Sequence, residues 1–184
     1  MFFFNRKPKT TIRKLAESLA PYFAEDAITS FDNEDILLFE NSSLKGKPEL
    51  IQEWLLYRLF CAINGYRASI EEPRCKLEFT QIFLKTCGDI FIAKGIFSSM
   101  AEYDQLGKGR FLGYVDALND SEGIDDEALA TDTMQNVGRR FLANIHSSPD
   151  NYSLLFGASS IFTLYSIAAK ETLDDMQSKF RLVG

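Results

Sequence analysis

The chain has 184 residues, 46% of them hydrophobic and 25% charged, and a net charge of -6. That length and apolar content suit one domain with a sizeable core, and the absence of repeats or low-complexity segments argues against a solenoid or a disordered chain. The acidic balance argues against DNA as a ligand, because phosphate binding needs clustered Lys and Arg.

The chain opens MFFFNRKPK, an apolar stretch too short for the hydrophobic region of a secretory signal. The expectation is a cytoplasmic protein whose residues 1–10 form a flexible or flap-like N-terminus. Residues 2–4 with Arg6, Lys7 and Lys9 have the chemistry to touch an anionic membrane surface, but a flap packed on the domain is favoured. Cys61, Cys75 and Cys87 are odd in number and sit in apolar surroundings, which predicts reduced thiols.

A first helix is predicted from residue 11 to about 24, with Ile12, Leu15, Ala16, Leu19 and Phe23 on one face and Pro21 ending or kinking it. The apolar run at residues 36–39 is too short for periodicity to assign it to strand or helix. Pro48 suits the first position of a second helix, which runs through Leu50, Trp54, Tyr57 and Cys61 until Gly65 stops it. Ile51, Leu55, Leu59 and Ala62 widen its face, so it is covered on more than one side.

After Pro73, the residues Phe79, Phe83, Thr86, Ile90, Ala93, Phe97 and Met100 recur in steps of four and three, the seam of helices packed lengthwise. This seam is expected to pack within the monomer, with a homodimer through it as the sharper alternative, and Gly88 is the expected break. A loop at residues 107–109 then leads to a short segment over 111–118. A further helix is predicted from about 125 to 146, with Leu129, Thr133, Val137, Phe141 and Ile145 on one face. Its acidic start and its Arg139, Arg140 and His146 near the end agree with the helix dipole.

Residues 151–169 carry no charged side chain, the longest such run, and are taken as the element around which the rest packs. Asp150 is the expected N-cap of a helix continuing to about residue 180 and buried at its front half. Interrupting serines and hydrophilic flanks disfavour a membrane span. Ser159, Thr163 and Ser166 form a narrow seam where another helix backbone can approach. The fold class predicted is all-α, a single-domain bundle of five or six helices with short irregular connecting elements.

Charge is segregated. Glu17, Glu25, Asp26, Asp32, Glu34, Asp35 and Glu40 form one block without a base, and Asp116, Asp120, Glu122, Asp125, Asp126, Glu127 and Asp132 form another. Placed together, such blocks would steer a basic partner.

Most catalytic chemistries lack their parts. With one histidine and no CxxC pair, a zinc site is hard to assemble, and no cofactor is expected. In the acidic stretch around Gly123, placing that glycine at the sixth position of a calcium loop puts Leu118 and Leu129 at positions one and twelve, which excludes an EF-hand in that register. Gly107, Gly109 and Gly113 are spaced one residue too long for a dinucleotide fingerprint. The stretch RFLANIH, from Arg140 to His146, is similar to the Arg and His signature of HEPN ribonucleases. That resemblance implies an all-α, usually dimeric, metal-independent nuclease in which Arg140 and His146 act on the RNA backbone.

The expectation is a non-catalytic domain that binds a basic protein through Asp116, Asp120, Glu122, Asp125, Asp126 and Glu127, as an immunity protein or antitoxin does. The alternatives are the ribonuclease and a homodimeric scaffold.

Overall fold

Helix α3 (Pro48–Ser69) is the element around which the others pack. In the computed structural model, which describes residues 9–33, 36–119 and 126–183, every residue of α3 from 52 to 63 is buried. Four aromatic rings and a run of leucines spread around one helix, so such a helix must be surrounded, and its Gln52, Glu53 and Arg58 are buried with them. Burying a large apolar side chain contributes about 1.5–3 kcal/mol, which makes α3 the main source of core stability.

The described residues form seven helices, an all-α bundle: α1 (Ile12–Asn33), α2 (Ile36–Glu40), α3, α4 (Pro73–Ala93), α5 (Met100–Asn119), α6 (Asp126–Asn144) and α7 (Tyr152–Lys179). Two short strands, β1 (Lys9–Thr11) and β2 (Arg181–Val183), pair in parallel with Lys9 opposite Arg181. This pairing of the two ends was not foreseen; the remainder of the predicted flap, residues 1–8, lies outside the described residues. Helix α1 packs on α4, α7 on α3 and α6, and α5 on α6.

Several sequence expectations need correction. Helix α7, not α3, was expected to lie at the centre, but lack of charge is not burial: Tyr152 is 76% exposed, Phe156 and Leu164 each 65%, and Ile167 49%. Its cap is Asn151 rather than Asp150, with Asn151 Oδ1 accepting from the backbone N–H groups of Ser153 (3.1 Å) and Leu154 (3.2 Å). Pro21 neither ends nor breaks α1. It stands on the exposed side with Glu17, whose carbonyl loses its helical donor where water can replace it.

Gly65 does not stop α3 but lets α7 lie against it. A β-carbon there would collide with the Ser166 carbonyl oxygen and sit 2.9 Å from the Ala169 β-carbon. The predicted small-residue seam is thus divided: Ser166 meets α3 at Gly65, whereas Ser159 lies against Gly138 of α6 and Thr163 bonds to Met134 of α6. Tyr57 donates to the Ala158 carbonyl (2.6 Å) and Ser166 to the Cys61 carbonyl (3.1 Å) along the α3 contact.

Gly88 leaves α4 unbroken and admits the Tyr103 ring, whose atoms would be 2.7 Å from an added β-carbon. Of the predicted seam in α4 only Phe79 and Phe83 are fully buried; the buried stripe then continues through Cys87 and Phe91, leaving Thr86 and Ile90 half-buried and Ala93 exposed. The seam's later members leave α4, since the helix ends at Ala93 and Phe97 belongs to the turn before α5. The expected loop at 107–109 is instead the middle of α5, because packing of Tyr103, Tyr114 and Ala117 overrides the helix penalty of about 1 kcal/mol per glycine. Residues 36–39 are helical.

Arg58 ties three helices together and is 1% exposed. It donates to Asp26 (2.7 Å) and Ser30 (2.5 Å) of α1, and its guanidinium lies 3.2 Å from the centre of the Tyr165 ring of α7.

The three thiols are free. Burial pushes the Cys61 and Cys87 thiols well above the ordinary range; desolvation and a hydrogen bond to Glu72 also raise Cys75, but it is only half-buried and open to reagent. Native protein treated with a thiol-specific chromogenic disulfide at neutral pH should therefore show one reactive cysteine, and all three after unfolding.

Candidate functional site: a polar cleft between α3, α5 and the turn after α6

A cleft of about 580 Å³ is lined by Glu49, Gln52 and Glu53 of α3, Glu102 and Arg110 of α5, and Asn144 and His146 at the end of α6, among others. Glu53 is 3% exposed, and its carboxylate faces Arg110, which donates from Nε to both carboxylate oxygens (2.8 and 2.7 Å) and from Nη2 to Oε1. The glutamate raises the pKa of Arg110 by this hydrogen bonding, against desolvation. A buried carboxylate survives in such a place only because the guanidinium answers both oxygens.

Glu102 has a structural task as well. It accepts from the backbone N–H (2.7 Å) and hydroxyl (2.6 Å) of Ser98, which hold its carboxyl below the usual range and close the N-terminus of α5. Gln52 donates to the Ile96 carbonyl (2.7 Å) and to Glu102 (3.3 Å). Asn144 donates to the hydroxyl of the buried Tyr114 (3.1 Å). Three carboxylates and three side-chain amides thus line the cleft with one guanidinium, so the cleft is rich in acceptors.

His146 stands in left-handed backbone, φ 53°, the one non-glycine residue with positive φ among the described residues. The reason is a helix-ending motif: Ser147 N–H bonds to the Leu142 carbonyl (2.8 Å) and His146 N–H to the Ala143 carbonyl (3.1 Å). Helix α4 ends with the same two bonds, Ile96 to Phe91 and Gly95 to Ile92, and there Gly95 occupies the left-handed position at φ 74°. Glycine takes that backbone without strain, whereas a histidine costs about 1 kcal/mol. His146→Gly should raise stability by about 1 kcal/mol in urea unfolding while removing the imidazole from the cleft.

The predicted site residues divide. His146 lines the cleft, but Arg140 does not; its side chain lies across Gly113 of α5, about 3.5 Å from where a β-carbon would be. Phe141, the residue after it, is a core ring stacked on Tyr57 at 4.1 Å. Asp116 is exposed on α5, two turns beyond Gly109 and on the same helix face as that cleft residue. Asp126 and Glu127 lie in the first turn of α6, and their side chains lie outside the described residues; so do Asp120, Glu122 and Asp125 entirely.

The four members of the first acidic block whose side chains are described are answered within the chain, and the side chains of Asp32, Glu34 and Asp35 lie outside the described residues. Glu17 pairs with Arg13 (3.7 Å), Glu25 with Lys94 (3.0 Å), Asp26 with Arg58 (2.7 Å) and Glu40 with Lys45 (3.9 Å). These four belong to α1 and α2, whereas the second block belongs to α5 and α6. Sequence reasoning missed Glu53 and Arg110, 57 positions apart; the signal was a glutamate amid the broad apolar face of α3. Among the described residues no group of three or more His, Cys, Asp or Glu side chains is placed to hold a metal ion. No family model matches the sequence, and neither curated proteins nor solved structures give a significant match.

Proposed function

We propose that this domain is a non-catalytic binding protein that engages a basic protein partner, in the manner of an immunity protein or antitoxin. The observation that carries the reading is the surplus of carboxylates over cations in the cleft, which Glu49, Glu53 and Glu102 line with Arg110 the one Lys or Arg among the described lining residues. Glu53 already holds a guanidinium by both oxygens, the contact an incoming arginine would seek at such a surface. Asp116 lies on the same face of α5 as the cleft residue Gly109, Asp120, Glu122, Asp125, Asp126 and Glu127 follow it in the sequence, and pairing within the chain engages Glu17, Glu25, Asp26 and Glu40 of the first acidic block.

Affinity capture from the native lysate in a rising salt series tests this. The expected result is one stoichiometric basic protein, released as salt rises, and no capture by a variant with Glu49, Asp116, Asp120, Glu122, Asp125, Asp126 and Glu127 changed to amides. Unchanged capture by that variant would contradict the assignment.

A second reading, the metal-independent ribonuclease, is favoured by one observation: the single histidine is held in strained backbone at the cleft, where strain often accompanies function. His146→Ala separates the two readings, since it should abolish RNA cleavage under the second and spare partner binding under the first.

A further inference from the structure

The outer face of the front part of α7, residues 152–169, is apolar, exposed and without charge. Tyr152, Phe156, Leu164 and Ile167 stand out from it, and with Met134 and Gln135 of α6 part of this face forms a groove of about 330 Å³. The midpoint of the uncharged run 151–169 is Ser160, and the first charged residues beyond its ends are Asp150 and Lys170, of opposite sign and both exposed.

We propose that this face pairs with the same face of a second copy of the chain, antiparallel, about a twofold axis at Ser160. In that register each large side chain lies level with one of a different size: Phe156 with Leu164, Tyr152 with Ala168, and Ile167 with Ser153, each pair occurring twice by symmetry. The small Ser160 meets itself at the axis and allows close approach. Asp150 comes level with Lys170, which also bonds Asp174 of its own helix (2.6 Å), so opposite charges flank at both ends a contact that is uncharged along roughly 28 Å. No other register centres the uncharged run on itself. Two aromatic and two aliphatic side chains per copy, exposed by half or more, supply roughly 450 Å² of apolar surface, and the α6 walls bring the contact towards the ~800 Å² per partner of stable interfaces.

Helix α7 is also long and apolar enough to cross a membrane by length and composition. A second copy is the better occupant because the inner face of α7 is committed to the bundle, with Leu155, Phe162 and Leu173 in the core and the Tyr57 and Ser166 hydrogen bonds to α3.

This pairing is independent of the acidic cleft and responds oppositely to salt, since two copies of charge -6 repel and screening brings them together. Sedimentation equilibrium should give a dimer that tightens as salt rises, and Phe156→Glu or Leu164→Glu should give a folded monomer by the same measurement and circular dichroism. In a Cys75→Ser background, Ser160→Cys should cross-link on mild oxidation about tenfold faster than Asp116→Cys, because the axis holds the two thiols at high effective concentration. A monomer at every salt concentration with equal cross-linking rates overturns the proposal. So does flotation of monomeric wild type with anionic phospholipid vesicles that Leu164→Glu abolishes, which would assign the face to a membrane.

Discussion

Arg110→Met should lower stability by about 3 kcal/mol, read as a shift of the urea midpoint at unchanged slope. The variant leaves the Glu53 carboxylate 3% exposed and without the two-pronged guanidinium that neutralises it. Breaking a fully buried pair costs about 3–5 kcal/mol, and the partial exposure of Arg110 towards the cleft brings the expectation to the lower end. Adding Glu53→Leu should restore most of the loss, because the penalty lies in the stranded charge and not in the missing arginine. If the single and the double variant were equally unstable, the pair would not be the reason for the loss.

Gly65→Ala should be the most damaging single-methyl substitution in the chain, costing about 3 kcal/mol or preventing folding. The added carbon meets the backbone oxygen of Ser166, which cannot turn aside as a side chain can, so α7 as a whole must retreat from α3. Thermal unfolding measures the loss. Ala169→Gly in the same chain should not repair it, since it clears the lesser contact and leaves the carbonyl in place. Full rescue would show that the two helices approach less closely than the hydrogen bond from Tyr57 to Ala158 requires.

The helical class was legible because apolar residues recur at helical spacing in every long segment, and the starts of α3 and α4 were legible from Pro48 and Pro73. Glycine and proline misled in proportion to how far tertiary packing outweighed local preference. Pro21 faces solvent, where a lost hydrogen bond is cheap, and Gly88 and Gly65 mark helix contacts rather than helix ends. The exposure of α7 was not legible, since an uncharged run looks alike whether both its faces are covered or one. Within the cleft only His146 was visible beforehand, with Asp116 two turns further along α5. The pairs Glu53 with Arg110 and Asp26 with Arg58 join separate helices, and no local pattern announces them. The second of them explains why an acidic block in the sequence need not be an acidic face: its charges are answered by bases from other segments.

The most direct measurement is calorimetric titration of the captured basic protein into the full chain at a series of salt concentrations. If carboxylates at the cleft and along α5 and α6 carry the contact, affinity should fall steadily with the logarithm of salt while the dimer of the chain alone tightens. An affinity that holds or rises with salt, equal in wild type and in the amide-substituted variant, would contradict an acidic binding surface and point instead to the uncharged face of α7.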